Sequence, residues 1–195
     1  MKLSNIDDIV DLDLCVGCGL CQAIAGEDRI KMHLNQDGFL RPKVVGDYAE
    51  FWGEIKQACP GIVVRHEGDL EHRPWDRLWG PLLDIKAGYA TDETVRWCGS
   101  SGGGISGLLC YLLEQGYVDY VLHVGASSAN PLQNQVYLSQ NREDVIRCAG
   151  SRYAPAAPLI KIKSLLEQND GRVAFVGKPC DVAALRAFLQ LYPNL

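Results

Sequence analysis

The sequence has no apolar run approaching the roughly 20 residues that a membrane-spanning helix requires. Its first residues, MKLSNIDDIV, are acidic and lack the basic and apolar regions of a secretory signal peptide. Basic residues are also in deficit, since 19 Lys and Arg stand against 24 Asp and Glu and give a net charge of −5. A nucleic-acid-binding surface needs clustered Lys and Arg. These features predict a cytoplasmic protein with no membrane span and no nucleic-acid partner.

Internal repeats and low-complexity tracts are absent too, and the contents of 47% hydrophobic and 22% charged residues are those of an ordinary globular protein. The 195 residues suffice for one good-sized core, or for a small domain joined to a medium one. Cysteine is abundant, however: eight is many for a cytosolic chain, in which thiols stay reduced. Closely spaced cysteines in such a chain indicate a metal or redox site rather than disulfides.

Three of the cysteines share the run CVGCGLC, separated by two-residue spacers: Cys15, Cys18 and Cys21. In the ferredoxin pattern C-x2-C-x2-C-x3-C-P a fourth cysteine follows, but Ala25 occupies that position here. A distant Cys59, followed by Pro60, supplies the missing thiolate. Because Gly17 and Gly19 let the loop curl around one centre, the set predicts a 4Fe-4S cluster.

A zinc site with the same four cysteines is the alternative, and it would hold the segment together without redox chemistry. Zinc sites usually present their ligands as two separated pairs, whereas three ligands share one run here. The spacing therefore favours the cluster.

The first part of the chain predicts two strands, IKMHLN and FLRPKVV, on either side of a turn at 36–38. A helix over 48–58 then leads to Cys59. The stretch 67–84 is irregular and mixed in charge, which predicts a connector.

The second part predicts strands that alternate with helices. The strands are expected over 85–90, 118–124, 135–139 and 172–176, and the helices over 105–114, 142–147, 159–168 and 182–191. The first of these helices carries four leucines that the spacing places on one face: Leu108, Leu109, Leu112 and Leu113. Such alternation predicts a helix-flanked α/β sheet.

The fold class expected is therefore mixed, α+β followed by α/β. A small ferredoxin-like iron–sulfur domain (1–66) precedes the connector (67–84) and an α/β domain (85–195). Because the last helix runs directly into LYPNL, the second domain is expected to be short of strands and incomplete at its C-terminus.

A glycine-rich run, WCGSSGGGISG at 97–107, precedes the helix over 105–114. Gly102, Gly104 and Gly107 fit the G-x-G-x-x-G spacing, but no buried strand precedes the run and no acidic residue ends the next strand, so the Rossmann pattern is weak. Bare backbone N–H groups at a helix N-terminus favour a phosphate group. A glycine-rich turn without a ligand fits the motif equally well.

The remaining cysteines differ in their surroundings. Cys180 follows a predicted strand and precedes a helix, beside Lys178, and both the helix N-terminus and the Lys favour its thiolate. A buried, inert Cys180 is the alternative. Cys110 and Cys148 lie among apolar helical positions, which predicts core residues, whereas Cys98 borders the glycine-rich run and allows either reading.

Four motifs in order, CVGCGLC, GSSGG, AGSRYAP at 149–155 and GKPCDVAALR at 177–186, resemble the coenzyme F-420 hydrogenase/dehydrogenase beta-subunit family over nearly the whole chain. The resemblance implies a flavin- and iron–sulfur-dependent oxidoreductase that binds FAD in its second domain. It implies these flavin-site residues: Ser100, Ser101, Gly102, Gly103, Ser151, Arg152 and Tyr153. It assigns Cys180 to a further 4Fe-4S cluster whose other ligands lie in motifs that this sequence does not reach. The chain is therefore expected to be the amino-terminal portion of a longer protein.

Arg152 and Lys178 are candidates to stabilise negative charge on the flavin or its phosphates, with a solvated surface charge as the alternative for each. No catalytic residue is assigned, because the histidines are scattered. The resemblance implies a redox partner protein or a hydrogenase/dehydrogenase-type catalytic subunit. It also implies a small-molecule hydride partner, with a deazaflavin among the candidates. The alternatives are a non-catalytic ferredoxin-like electron-transfer subunit and a zinc-stapled interaction domain.

Overall fold

The computed structural model describes residues 3–65 and 74–195, which form a mixed α/β structure. Its helices within the described residues are α1 (Ile6–Asp11), α2 (Leu20–Ala25), α3 (Trp52–Ala58), α4 (Glu93–Cys98), α5 (Gly104–Glu114), α6 (Arg142–Arg147), α7 (Ile162–Gln168) and α8 (Pro179–Leu191). The strands are β1 (Ile30–Leu34), β2 (Leu40–Val44), β3 (Trp75–Asp76), β4 (Gly80–Pro81), β5 (Tyr120–Ala126), β6 (Asn134–Ser139) and β7 (Val173–Phe175). Within the described ranges, no helix is both long and apolar enough to cross a membrane.

The first segment is built on the predicted hairpin. Strands β1 and β2 pair antiparallel, from Ile30 opposite Val44 to Leu34 opposite Leu40. The Asn35 side chain accepts the Phe39 N–H at 2.8 Å and closes the turn. The predicted strand pair is thus confirmed.

Three short helices surround this hairpin. The sequence predicted the third, and a 3-10 turn at 49–51 followed by α3 confirms it. The other two, α1 and α2, have six residues each and were not predicted. Helix α1 begins at an Asn5–Asp8 capping box, a local signal that does not depend on a long periodic pattern.

The second segment holds a three-stranded sheet in the order β6-β5-β7. Strand β5 pairs antiparallel with β6 and parallel with β7. The predictions at 118–124, 135–139 and 172–176 correspond to these strands, with shifted ends. The helix predicted over 142–147 is α6, while α7 begins later than predicted and α8 begins earlier, at Pro179.

The strand predicted over 85–90 is wrong. This stretch has no regular secondary structure and pairs with no strand among the described residues, and Ile85 and Tyr89 are 67% and 66% exposed. Its end is instead fixed where the Ala90 N–H donates to the Gly102 carbonyl at 2.8 Å. Alternating apolar residues make a strand only when a neighbouring strand is available.

The leucine face predicted for α5 needs a correction as well. Leu109 and Cys110 are buried, but Leu108 is 57% exposed. The buried face of α5 therefore lies one position away from the predicted one, toward α4, α6 and β5.

Part of the predicted connector, residues 66–73, lies outside the described residues. The remainder, 74–84, contains the short antiparallel pair of β3 with β4. The domain boundaries, the ferredoxin-like character of the first segment and the incompleteness of the sheet stay predictions.

The largest core cluster draws on both segments. Ile6, Leu20 and Ile55 from the first segment pack in the same cluster as Leu159 and Phe188 from the second. Helix α8 contacts α3, and α7 contacts α2. The loop that carries the clustered cysteines is thereby held against the second segment, and the Leu159 N–H donates to the Cys18 carbonyl at 3.0 Å.

Candidate functional site

The CVGCGLC run forms a tight loop in front of α2. Gly17 and Gly19 have φ angles of 73° and 83°, a region that L-residues rarely adopt. A Cβ at Gly17 would lie 2.9 Å from the Leu40 carbonyl oxygen, and one at Gly19 would lie 3.0 Å from the Ala157 Cβ. Both glycines are therefore required by conformation and by close packing.

Cys59 reaches the same place from the end of α3. Its N–H donates to the Ile55 carbonyl at 2.8 Å and closes the helix. Its own carbonyl then accepts the Ile62 N–H at 3.0 Å, which turns the chain back. The following Gly61 packs against the Leu14 carbonyl, just before the cysteine run, with no room for a side chain.

All four predicted ligands line one small cavity of about 30 Å³. The cavity wall is otherwise apolar or backbone, and its lining is Ile6, Ile9, Cys15, Val16, Gly17, Cys18, Gly19, Leu20, Cys21, Ile24, Met32, Pro42, Ile55 and Cys59. All four cysteines are free thiols. We call this space the cysteine cavity.

Burial dominates the electrostatics of the cysteine cavity. It raises the pKa of Cys21 to about 12, with the neighbouring Cys15 and Cys59 adding to the effect. Burial also raises the pKa of Cys18 and of Cys59. Four thiolates in such a space repel one another, and no Lys or Arg lines it.

The donor set therefore fits a group that brings positive charge, such as an iron–sulfur cluster or a zinc ion. In the ranges 3–65 and 74–195, no set of three or more His, Cys, Asp or Glu side chains has an arrangement that could hold a metal ion. Ligation by these cysteines accordingly stays a prediction.

The other four cysteines lie elsewhere. Cys110 and Cys148 are buried, which agrees with the predicted core role, and Cys98 is exposed. Cys180 is the second residue of α8 and is half-buried, outside the cysteine cavity. Its assignment to a further cluster stays a prediction.

A second, larger space of about 580 Å³ opens between the two segments. Its walls come from loop residues 16–17, hairpin residues 39–41, the start of α5, segment 148–156, and residues 176–178 with Asp181, which follow β7. It thus lies at the carboxyl ends of the parallel strands β5 and β7, where α/β sheets bind ligands. Its volume is within the usual range for cofactor sites. We call it the cleft.

Five of the residues predicted for the flavin site line the cleft: Ser100, Ser151, Arg152, Tyr153 and Lys178. The Ser100 Oγ accepts the Ser151 N–H at 2.7 Å, so two motifs that lie far apart in the sequence meet there. Tyr153 is 98% exposed, with its ring free to cover a ligand.

Ser101, Gly102 and Gly103 are not part of the cleft lining. Gly102 packs on Tyr89, where an added Cβ would lie 2.8 Å from the Tyr89 Cβ, and Gly103 packs on the Val95 carbonyl. These glycines shape the turn that presents Ser100.

Positive charge faces the cleft from several sides. The Arg152 guanidinium donates to the Asn134 Oδ1 at 3.1 Å and to the Pro131 carbonyl at 2.8 Å. No carboxylate of the described residues pairs with it, so its charge remains available to an anion. Arg41, which the sequence did not single out, lies over the Phe39 ring at 4.8 Å.

Two buried polar residues of the cleft also escaped the sequence analysis. His123 forms a 2.7 Å hydrogen bond with the Ser139 hydroxyl, and burial lowers its pKa. Asp181 is 1% exposed and lies in the GKPCDVAALR motif, whose acidic residue was the available signal.

The cysteine cavity and the cleft share a wall. Val16 and Gly17 line both spaces. Whatever occupies one space is therefore separated from the other by a single turn of loop backbone and one small side chain.

Residues 85–163 match the family model described as coenzyme F420 hydrogenase/dehydrogenase, beta subunit N-term. The resemblance to this family is confirmed. The matched range contains residues 100–103 and 151–153, whose role in a flavin site stays a prediction. It does not include the cysteine run, Cys59 or Lys178.

Two named relatives extend the comparison. The coenzyme F420-dependent sulfite reductase of Methanocaldococcus jannaschii is 26% identical over 191 residues, which cover 97% of this chain and 27% of the relative. The coenzyme F420 hydrogenase subunit beta of Methanosarcina barkeri is 25% identical over 119 residues, covering 60% of this chain and 40% of the relative. The chain thus spans less than half the length of either protein, and both are redox enzymes by name.

Among solved structures, a chain of the F420-reducing [NiFe] hydrogenase complex from Methanosarcina barkeri aligns with a TM-score of 0.49. The sequence identity is 27%, and the alignment covers 54% of this chain and 36% of that one.

Proposed function

We propose that the chain is an iron–sulfur flavoprotein segment of an oxidoreductase, with a 4Fe-4S cluster on Cys15, Cys18, Cys21 and Cys59 and with FAD in the cleft. The observation that carries the proposal is the wall of Val16 and Gly17 common to both spaces. Two redox groups placed there would lie on either side of one loop. FAD supplies the conversion between single-electron and hydride chemistry, and the chain holds the groups and tunes their surroundings.

The cysteine cavity supports a cluster by its donors. Four thiols line a space without cationic side chains, and burial raises the pKa of Cys18, Cys21 and Cys59, which favours their neutral form until a cationic group binds. Three ligands in one run with one remote partner follow the cluster pattern rather than the paired pattern of zinc.

The cleft supports a dinucleotide by its size and charge. It offers about 580 Å³ with Arg41, Arg152 and Lys178 on its walls. Arginine suits phosphate because its planar fork donates two parallel hydrogen bonds. The exposed Tyr153 adds an aromatic surface beside these charges.

The names of the relatives suggest what would complete the reaction. We propose that a redox partner protein or a catalytic subunit exchanges electrons at the cluster, and that a small hydride carrier of the deazaflavin type reacts at the flavin. Cys180 would serve as a ligand of a second cluster.

The proposal is tested by anaerobic reconstitution with iron, sulfide and FAD, followed by desalting, visible spectroscopy and metal analysis. We expect about four iron atoms per chain from the cluster type, and one FAD per chain because the predicted flavin-site side chains line one cleft. The cluster absorbance should bleach with dithionite. A colourless chain that retains zinc would overturn the proposal, and a cluster without FAD would favour the electron-transfer subunit.

Replacing Cys59 separates the two sites. Cys59→Ser is expected to abolish the cluster and to leave FAD binding in the cleft, because Cys59 lines the cysteine cavity alone. Cys98→Ser is the matched control, since Cys98 is exposed and lines neither space. Cluster absorbance that survives in Cys59→Ser would remove Cys59 from the ligand set.

A further inference from the structure

Asp181 carries an unusual carboxylate. The residue is 1% exposed, and its Oδ2 accepts the Lys178 N–H at 3.0 Å and faces the Lys178 ammonium at 3.1 Å. Its Oδ1 is buried and has no hydrogen-bond partner, the one such side-chain atom among the described residues. An unpaired carboxylate oxygen is strongly unfavourable in a buried site, so a donor is expected there.

Capping of α8 does not account for this oxygen. Asp8 occupies the same third position in α1 and also closes a capping box, with its Oδ2 accepting the Asn5 N–H at 3.2 Å and the Ser4 N–H at 2.6 Å. Asp8 is half-buried and leaves no buried oxygen unpaired. The capping role therefore requires one oxygen in both helices and leaves the second oxygen of Asp181 unexplained.

The position of Asp181 shows where its donor would come from. Asp181 lines the cleft and is close enough to Cys18 for its charge to act on that thiol. Gly177 lets the backbone fold over it, since a Cβ at Gly177 would lie 2.8 Å from the Asp181 Cβ. Asp181 thus sits where the cleft approaches the cysteine cavity.

We propose that Asp181 is a flavin-binding residue whose side chain turns its buried Oδ1 toward the cleft when a flavin binds, so that this oxygen accepts a hydrogen bond from the ring imide N–H. The inference rests on the proposed function, and it adds the orientation of the ring. A carboxylate repels phosphate and the ring carbonyls, so the group that meets it must be a neutral donor. Placing the imide there puts the ring at the side of the cleft nearest Cys18 and leaves the phosphates to Arg152.

The test uses the chain reconstituted with its cluster and freed of flavin. Dissociation constants for FAD and for 3-methyl-FAD, which lacks the imide proton, are measured from flavin fluorescence. The unsubstituted chain is expected to bind 3-methyl-FAD at least about tenfold more weakly than FAD. Asp181→Asn is expected to bind FAD at least about tenfold more weakly, and to lose the preference for FAD over its methyl analogue.

The Asn side chain keeps an oxygen for the Lys178 N–H and turns an amide donor toward the ligand, so the cap survives while the acceptor is lost. Asp181→Ala, which removes both oxygens, should lose the same preference. A second readout is the flavin midpoint potential, which should rise in Asp181→Asn because a negative charge beside the ring opposes reduction. Asp8→Asn is the matched control for a capping-box carboxylate and should alter neither the preference nor the potential.

Equal affinity of the unsubstituted chain for the two nucleotides would overturn the inference. So would a loss in Asp181→Asn that is the same for both, which would point to a ribityl hydroxyl or a structural role. If the unsubstituted chain binds no FAD, the proposed flavin site itself fails, and a buried water molecule then accounts for the Asp181 oxygen.

Discussion

The cysteine cavity and the cleft differ in the polarity and charge of their linings, although the loop residues Val16 and Gly17 line both. The cavity is small and apolar, and burial raises the pKa of three of its four thiols, those of Cys18, Cys21 and Cys59. The cleft is about twenty times larger, since 580 Å³ compares with 30 Å³, and three cationic side chains on its walls, Arg41, Arg152 and Lys178, are in contact with solvent. One site therefore depends on a cationic group to become charged, whereas the other is charged before any ligand arrives. This contrast predicts that substitutions affect the two sites by different mechanisms, except at the shared wall.

The largest effect is expected at that wall, because one residue belongs to both sites. Gly17→Ala forces an L-residue to a positive φ and drives its Cβ against the Leu40 carbonyl, so it should reduce both cluster content and FAD affinity. Gly38→Ala is the matched control: Gly38 also has a positive φ, of 82°, but an added Cβ meets nothing within 4 Å.

Gly38→Ala should lower the free energy of unfolding by about 1 kcal/mol and leave cluster content and FAD affinity unchanged. Iron content and FAD titration of the two variants provide the measurement. A Gly17→Ala chain with full cluster and unchanged FAD affinity would show that the two spaces do not depend on a common wall.

A smaller effect is expected from a charge that belongs to the cleft alone. Arg152→Ala should weaken FAD binding roughly tenfold, since hydrogen bonds to charged groups are worth about 1.5–3 kcal/mol, and should leave iron content unchanged. Riboflavin, which lacks phosphate, should bind equally well before and after the substitution.

Arg172→Ala is the control for a lost arginine, because Arg172 pairs with Asp119 away from the cleft. If riboflavin and FAD lose affinity equally in Arg152→Ala, Arg152 orders the loop around Asn134 and does not recognise phosphate.

The smallest effect concerns a buried base of the cleft. Burial lowers the pKa of His123, so the unfolded chain binds the proton more tightly than the folded one. The resulting stability is present above the unfolded pKa of about 6.5 and is lost as the pH falls toward the lower folded value. The free energy of unfolding should therefore decline below that pH by at most about 1.4 kcal/mol per pH unit from this group.

His123→Gln keeps a partner for the Ser139 hydroxyl and should flatten this part of the profile, measured by urea unfolding between about pH 5 and 8. An identical slope in both proteins would assign the pH dependence to other groups.

The sequence correctly predicted those features that depend on local residue patterns. The hairpin follows from alternating residues about a turn, and the grouping of the four cysteines around one cavity follows from their spacing and from the helix that ends at Cys59. The short helices α1 and α2 were missed because six residues carry too little periodicity to be recognised.

The parts that were not predicted depend on packing between distant segments. Nothing in the stretch 85–90 indicates that its partner would be the glycine-rich turn through Gly102 rather than a strand. The burial of Asp181 depends on the fold of the chain at Gly177, and the cysteine loop contacts the second segment through the hydrogen bond from the Leu159 N–H to the Cys18 carbonyl. Hydrophobic patterns report which residues are buried, but not which tertiary partner buries them.

The core that joins the two segments has a consequence for recombination. A chimaera that received only the cysteine-bearing segment would lack Leu159, Ile162 and Phe188. These three side chains are buried in the core cluster that they share with this segment. Each lost large side chain removes about 1.5–3 kcal/mol of burial energy. A Cβ added at Gly19 would lie 3.1 Å from the Ile160 backbone nitrogen, so Gly19 is closely packed against a part of the second segment that would also have to be transferred. The four cysteines can therefore be recognised from the first segment's sequence alone, but the packing around them also requires residues of the second segment.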